Sequence, residues 1–289
     1  MYLLTAPYVT PAEFEASPTW LDTQNLVPNG DQLAQDSELA NVLLRASSWA
    51  DGCINQPLGA HVRTESARVN LQGGRLSFHA ADRPVRRVTA LSYGADPGSL
   101  TPVGDLSGLW IEDDVQILTS LAVVSGWGGV LEFGPRAGRD TEVFVRISYV
   151  AGHTCTVLTA AASSGTTSVT VADPTGIYPG DVLRFWDPSR EEAVTVAPGY
   201  VPGTATVPLA GSTTNAHGAG AGISNLPADA RQAVILRACS MLLRGETAGQ
   251  GDYPEAAYGP TAARSEGKSR GSELLAEAKH LLRPYRRVR

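Results

Sequence analysis

The sequence of 289 residues lacks the features of a membrane-spanning or exported protein. Its longest apolar stretches, such as residues 118–124, fall far short of the roughly 20 residues that cross a bilayer. The N-terminus has no basic leader followed by an apolar run, which a secretory signal requires. With 43% hydrophobic and 18% charged residues, the composition is that of a globular protein. We therefore expect a soluble chain that is not exported and has no membrane partner.

Cysteine and histidine are too few and too scattered to indicate a disulfide framework or a metal site. The three cysteines form an odd set without a Cys-x-x-Cys pair, and the histidines do not stand at metal-ligand spacing. These residues are Cys53, Cys155, Cys239, His61, His79, His153, His217 and His280. The sequence predicts no metal and no cofactor.

Patterns for catalysis are missing as well. Lys268 lies in a Gly-Lys-Ser triplet that resembles the end of a phosphate-binding loop, but Ala262 stands where that loop needs a glycine. The same segment matches the Gly-x-Ser-x-Gly pattern of hydrolases, yet no apolar strand precedes it. Because no nucleophile, base and orienting group can be assembled, we predict that the chain is not an enzyme.

Charge is distributed unevenly along the chain. Residues 1–60 hold seven acids and one base, a net charge of −6, whereas residues 264–289 hold eight bases and three acids, a net charge of +5. Only Lys268 and Lys279 of the 23 basic residues are lysines. Such a dipolar chain either attracts copies of itself or a fixed partner, or carries two separately solvated segments. The overall net charge of −6 argues against general nucleic-acid binding.

Helical periodicity is strongest near the two ends of the chain. Thr10 and Pro11 predict the start of a short helix, and Asp36 is predicted to cap a second helix that ends near Ile54. A third predicted helix begins at the segment LPAD, residues 226–229, and is apolar on nearly all sides, so other elements must cover it.

The last predicted helix begins at a Ser272 cap and ends at residue 282, where a leucine stripe is followed by Pro284. Between the third and the last helix, residues 245–271 show no periodicity. We expect an extended or mobile loop there.

Alternation of apolar and polar residues, typical of strands, begins near residue 61 and is clearest at residues 142–150. Segments 69–71 and 76–78 flank Gly73 and Gly74, which predicts a hairpin. Residues 61–153 are therefore predicted to form a β domain.

Residues 154–224 differ in composition, with short alternating segments separated by Pro-Gly turns. This pattern predicts a small antiparallel barrel or sandwich. Its flanks, residues 159–167 and 211–222, are poor in large side chains and are predicted to be flexible connectors. The fold class is thus α+β: a discontinuous helical core (1–60 and 225–289), a β domain (61–153) and an inserted β module (154–224).

The order of four short segments resembles the head-to-tail adaptor, or connector, proteins of long-tailed bacteriophages. The segments are WADGCINQPL at 49–58, RPVRRV at 83–88, VRISYVAG at 145–152 and LPADARQA at 226–233. None is specific alone, and the resemblance does not extend to residues 154–224. In the family the third segment leads within a few residues to the fourth, whereas about 70 residues intervene here. We interpret these residues as an insertion in a loop, where added length costs little closure entropy.

The resemblance implies a structural virion protein without catalytic activity. Such adaptors form a ring, usually of twelve subunits, beneath the portal protein in the neck between head and tail. The ring provides a conduit for DNA during ejection, without sequence-specific binding, and a platform for the next neck or tail-completion protein. The implied localisation is the virion, after assembly in the host cytoplasm. The helices from both ends of the chain are expected to build the ring body.

Candidate site residues follow from this resemblance and from the charges. The C-terminal segment is expected to reach the portal, and its candidate docking residues are Leu274, Leu275, Ala278, Leu281, Leu282, Tyr285, Arg286, Arg287 and Arg289. DNA is repelled by acidic walls, and the candidate lumen-facing acids are Asp31, Asp36 and Glu38.

An alternative function is a surface- or carbohydrate-binding accessory protein of the tail or neck, acting through the inserted β module. The motivating rings are Tyr178, Phe185, Trp186 and Tyr200. Exposed rings on a small barrel often stack on sugars, and the alternative is that these rings fill the core of the module.

Overall fold

The chain folds into two compact bodies that combine helices with small antiparallel sheets. The computed structural model describes residues 4–19, 21–71, 75–120, 141–249 and 261–287. The first body contains residues 1–59 and 154–289, and the second contains residues 60–153. The predicted α+β class is confirmed.

Helices from both ends of the chain share one apolar core in the first body, which we call the helical core. They are α1 (Pro11–Ala16), α2 (Gln32–Ile54), α3 (Ala228–Gly249) and α4 (Thr261–Leu282), and α4 continues into a 3₁₀ turn (Arg283–Tyr285). Leu43 of α2, Val234 of α3 and Leu282 of α4 are all almost fully buried in this core. Each buried side chain of this size contributes about 1.5–3 kcal/mol to folding. The core therefore depends on residues about 190 positions apart in the sequence.

The two N-terminal helices begin at polar caps. The Thr10 side chain accepts a hydrogen bond from the Glu13 backbone (3.3 Å), so the predicted start of α1 is confirmed. The predicted Asp36 cap of α2 is wrong, because α2 begins at Gln32 and Asp31 accepts from the Ala34 backbone (2.9 Å). Gln35 explains the difference: it is buried, and its amide bonds the backbone of Val27 (2.8 Å). A polar residue thus occupies a core position in the first turn, which apolar periodicity cannot detect.

The C-terminal helices are longer than predicted. The helix α3 continues to Gly249, and α4 begins at Thr261. The expected loop is therefore wrong for residues 245–249 and 261–271, while residues 250–260 lie outside the described residues. Alanine, glutamate and arginine favour helix even without an apolar stripe. The hydroxyl of Ser240 donates to the Gly271 carbonyl (2.9 Å) and joins the two helices at this level.

The inserted module, residues 154–224, has a small core of its own within the first body. Its strands are β8 (Cys155–Val157), β9 (Ser168–Thr170), β10 (Val182–Trp186), β11 (Glu192–Thr195), β12 (Thr206–Pro208) and β13 (Gly222–Ser224). They form a four-stranded sheet in the order β11-β10-β13-β8 and a β12-β9 pair. Leu183, Val207 and Ile223 are fully buried between them. The described strands form no closed barrel.

The flanks of this module are paired segments and not flexible connectors, so that prediction is wrong. Ala162 and His217 exchange two backbone hydrogen bonds (2.9 and 2.8 Å), and Gly165 donates to Thr213 (2.7 Å). These bonds use backbone atoms alone, so a segment poor in large side chains can make them.

The two ends of the module are joined directly. The Thr154 backbone N–H donates to the side-chain oxygen of Asn225 (2.7 Å), and the Asn225 backbone N–H donates to the Thr154 carbonyl (3.1 Å). The Ser224 hydroxyl also donates to that carbonyl (2.8 Å). The intervening 70 residues thus begin and end at one hydrogen-bonded point.

The second body is built from two antiparallel sheets. Its strands are β1 (His61–Leu71), β2 (Arg75–His79), β3 (Val85–Asp96), β4 (Ser99–Pro102), β5 (Trp110–Glu112), β6 (Gln116–Ser120) and β7 (Thr141–Ala151). The sheet orders are β1-β7-β3-β4 and β2-β6-β5. The alternating segment 142–150 forms β7, whose Val145 and Ile147 are buried.

The predicted hairpin between residues 69–71 and 76–78 is wrong. The strand β1 pairs along its whole length with β7, and β2 pairs with β6 in the other sheet. Gly73 and Gly74 lie outside the described residues. Local alternation predicted the strands, but pairing between strands distant in sequence leaves no local pattern.

Candidate functional site

The candidate portal-docking residues lie at the surface and in the interior of the helical core. Ala278 and Leu282 are fully buried. Leu274, Leu281 and Tyr285 are partly buried and pack against the core. Of the remaining candidates, Leu275 and Arg287 are half-buried, Arg286 is exposed and Arg289 lies outside the described residues. Part of the predicted leucine stripe is therefore buried in the core of its own chain. Only the candidate residues that are at least partly exposed can contact a partner.

The tail after α4 is tied to the helical core. The Tyr285 hydroxyl donates to the carboxylate of Asp229 (2.6 Å), and the Gln56 amide donates to the Tyr285 carbonyl (3.2 Å). The Arg287 backbone N–H donates to the carbonyl of Ile54 (3.0 Å). Burial and the adjacent Asp229 carboxylate raise the pKa of Tyr285. The tail joins the end of α2 to the start of α3.

An apolar groove runs beside α4. Leu274 lines it together with Ile235, Leu236 and Cys239 of α3, and Leu21 of the segment after α1. The groove has a volume of about 350 Å³. It is an accessible apolar surface beside the candidate docking helix.

A basic surface lies on the other flank of α4. Lys279, Arg283 and Arg286 are exposed there, and Arg237 of α3 lies over the ring of Trp49 at 5.1 Å. Burial raises the pKa of Cys53 at the end of α2, while the charges of Lys279, Arg237 and Arg286 lower it. Lys279, Arg237 and Arg286 are therefore close enough to Cys53 for their charges to act on its thiol. We refer to Lys279, Arg283, Arg286 and Arg237 together as the basic surface.

The candidate lumen-facing acids lie at the opposite end of α2, and none is buried. Asp31 is the helix cap. Asp36 accepts a bond from the Gln32 amide (2.7 Å), and Glu38 pairs with Arg45 (3.0 Å). Their orientation toward a lumen stays a prediction.

A buried joint, which sequence reasoning missed, connects the inserted module to the helical core. The Arg231 guanidinium forms a two-pronged ion pair with Glu13, one contact measuring 2.9 Å. The same guanidinium stacks on the ring of Trp186 at 4.3 Å, and Arg184 stacks on that ring at 4.8 Å. Burial raises the pKa of Glu13, although Arg231 opposes this shift. The joint brings together α1, α3 and β10, so the orientation of the module is fixed by side chains as well as by its two ends.

A second buried constellation lies inside the module. The His217 ring stacks on Phe185 (centroids 4.1 Å apart) and bonds Asp187 at Nδ1 (3.1 Å) and Glu192 at Nε2 (2.8 Å). The two ring nitrogens of His217 thus contact two different carboxylates. Burial alone would raise the pKa of Glu192. Bonds from the backbone of Asn215 and Thr214 and from the His217 ring instead lower that pKa to about 2. Since 25 residues or more separate His217 from its partners, no sequence pattern indicated this cluster.

The aromatic residues behind the carbohydrate-binding alternative lie mostly inside the module. Phe185 and Tyr200 belong to its core, and Trp186 lies between Arg184 and Arg231. Its indole nitrogen is buried and has no hydrogen-bond partner among the described residues. The fourth residue, Tyr178, is half-exposed.

The second body contains a buried polar cluster around Asp82. Its carboxylate pairs with His61 Nε2 (3.0 Å) and with Arg63, and its backbone N–H donates to the Tyr149 hydroxyl (3.2 Å). Burial opposes ionisation of Asp82, but the bonds from His61 and Arg63 lower its pKa. The cluster joins β1, β7 and the connection from β2 to β3, and this accounts for its residues structurally.

No helix among the described residues has the length and apolar character needed to cross a bilayer. The described side chains likewise contain no set of three or more histidine, cysteine or acidic residues arranged to hold a metal ion.

Comparisons with known proteins give one structural match. No family model and no curated protein matches the sequence. A solved chain described as "Neck of empty GTA particle computed with C6 symmetry" is similar at 21% sequence identity. The match covers 52% of this chain and 71% of that chain, with a TM-score of 0.26. A TM-score of this size does not establish a shared fold.

Proposed function

We propose that the chain is a structural component of the neck of a phage-like virion. In this role it is a head-to-tail adaptor that forms a ring below the portal, carries the next neck or tail-completion protein and surrounds the path of the DNA. It has no catalytic role and needs no cofactor.

One observation carries this proposal. The helix α3, which begins within the fourth adaptor-like segment, packs in the same core as α2, which ends within the first one, as Ile54 and Ala230 illustrate. A ring body built from both ends of the chain requires this arrangement. Had the two helices belonged to separate cores, the resemblance would have lost its physical basis.

Portal docking is assigned to the accessible flank of α4. Leu274 and the adjacent apolar groove offer a surface on which a partner's apolar side chain gains about 1.5–3 kcal/mol by burial. The contribution of Arg286, Arg287 and Arg289 to docking stays a prediction.

Co-sedimentation of the chain with the portal protein of its own particle tests the proposal. The wild-type chain is expected to sediment with the portal and to add a ring in electron micrographs. Leu274→Glu places a charge in the groove and is expected to weaken binding at least about tenfold. Glu277→Ser, at an exposed position of the same helix, serves as the matched control. A folded wild-type chain that never binds the portal would contradict the proposal, and binding of glycans by the full chain would favour the alternative function.

A further inference from the structure

The basic surface lies beside a small apolar patch formed by Trp49 and Cys53. Trp49 and Cys53, one helical turn apart on α2, are only partly buried against the helical core. Lys279 and Arg283 form no ion pair with the described residues. The acids of α4 nearest in sequence to Lys279, Glu273 and Glu277, lie on other sides of the helix because 3.6 residues make one turn. The arrangement of an apolar patch beside charged residues is typical of a protein interface.

The opposite end of α2 has the complementary features. Leu33 in its first turn is 77% exposed, the largest exposed fraction among the described large apolar side chains. Asp31, Asp36 and Glu38 lie around it in the sequence and are not buried. Arg45 is the only base among residues 1–60, so this end of the helix is acidic.

The two ends cannot meet within one chain. The 23 residues of α2 extend over about 34 Å at 1.5 Å per residue. The bond from Arg287 to Ile54 holds the basic surface near the end of α2, and Ile54 lies about 24 Å along the helix from Glu38. A contact between the acidic and basic ends therefore requires two copies.

We propose that copies of the chain associate head to tail, with the acidic start of α2 of one copy on the basic surface of the next. Leu33 then packs near Trp49 and Cys53, while the carboxylates approach Lys279, Arg283 and Arg286. A contact between two different surfaces repeats from copy to copy and closes into a ring when the rotation permits. The inference rests on the proposed ring and names its interface.

This interface gives the acids of α2 a different place from the predicted one on the lumen wall. A carboxylate in contact with a neighbouring copy is not available to line a channel. The two assignments are therefore distinguished by the same measurement.

Zero-length crosslinking with a carbodiimide tests the inference, because the chain has only two lysines, Lys268 and Lys279. Isotope-labelled and unlabelled full-length copies are mixed, alone and on the portal, and linked peptides are identified by mass spectrometry. The expected product joins Lys279 of one copy to Asp31, Asp36 or Glu38 of another. Lys279→Arg is the matched control: it keeps the charge and the oligomer mass but abolishes the link.

Two further variants measure the contact itself. Leu33→Ala removes an exposed side chain, so the monomer folds, and the yield of the link is expected to fall about tenfold. Lys279→Glu and Glu38→Lys are each expected to reduce association. The double variant, in which both charges are reversed, is expected to recover it, as measured by a double-mutant cycle.

The outcomes separate this inference from the proposed function. Links between Lys279 and the acidic end of α2 support it. An oligomer whose links join other residues, or that tolerates Leu33→Ala, overturns the interface but leaves the ring in place. A chain that remains monomeric both alone and with the portal overturns the interface and the ring together.

Discussion

The helical core and the inserted module of the first body are stabilised by different interactions. In the helical core, apolar side chains from the two ends of the chain pack against each other, and polar contacts mainly hold the ends of helices. In the module, a small apolar core is combined with the buried His217 cluster and with backbone pairing of segments poor in large side chains. Regular periodicity thus accounts for the first region, whereas the second depends on specific polar groups meeting across long loops.

The largest expected effect comes from breaking the joint between these two regions. Arg231→Ala leaves the Glu13 carboxylate buried without its guanidinium, which costs about 3–5 kcal/mol of folding free energy. Chemical denaturation of the full chain measures this loss. The matched control is Arg184→Ala, which removes the more exposed arginine on the same tryptophan ring and is expected to cost about 1 kcal/mol or less. Equal losses for the two variants would show that the joint does not couple the regions.

The next largest loss is expected from a substitution inside the inserted module. Glu192→Gln removes the charge bonded by the Thr214 and Asn215 backbone and by His217, and is expected to cost about 2–3 kcal/mol at pH 7. Because the folded pKa of Glu192 is lowered from 4.5 to about 2, its stabilisation is complete above pH 4.5 and is lost as the pH falls toward 2. Unfolding measured across this window is expected to show less acid destabilisation in the variant than in the wild type. Identical pH profiles of unfolding for the variant and the wild type would show that the Glu192 carboxylate does not stabilise the module.

A smaller loss of folding free energy is expected when the contacts of the tail after α4 with the helical core are removed. Tyr285→Phe removes only the hydroxyl that donates to Asp229 and is expected to cost about 1.5 kcal/mol. Deletion of residues 284–289 is expected to cost more, since the bonds from Gln56 and Arg287 are also lost. Portal binding by the two variants is compared under conditions in which circular dichroism shows both to be folded. If folded Tyr285→Phe binds normally and the folded deletion does not, residues 284–289 themselves contribute to docking.

The smallest effect tests where α2 begins. Asp31→Ala removes the cap of the Ala34 backbone and is expected to cost about 1 kcal/mol. Asp36→Ala, at the position predicted from sequence, is expected to cost about 0.5 kcal/mol or less because it loses only a side-chain bond to Gln32. The midpoint of urea unfolding measures both. A reversed order would favour the later start of the helix.

The helices were largely predictable, since apolar residues at three- and four-residue steps identify a buried face. The end of α2 near Ile54 was correct for this reason, whereas the start of α1 was correctly predicted from its capping residues Thr10 and Pro11. The start of α2 was missed because the buried Gln35 is polar, and the length of α4 because its first half has no apolar stripe. In each case, tertiary or backbone contacts determined a boundary that side-chain periodicity does not encode.

The candidate site was less predictable. The leucine stripe of α4 was recognised, but the sequence did not reveal that Ala278 and Leu282 face the core of their own chain. The Glu13–Arg231 pair joins residues 218 positions apart, and His217 reaches its two carboxylates across turns. Such pairs depend on the completed fold, so they become visible only in three dimensions.

The hydrogen-bonded closure between Thr154 and Asn225 has a consequence for protein engineering. A segment whose two termini are fastened to each other can be exchanged for a shorter, longer or unrelated one without altering the spacing of its host. This point of the chain is therefore a graft site. A reporter domain introduced at the same position is expected to leave the spacing of the helical core unchanged.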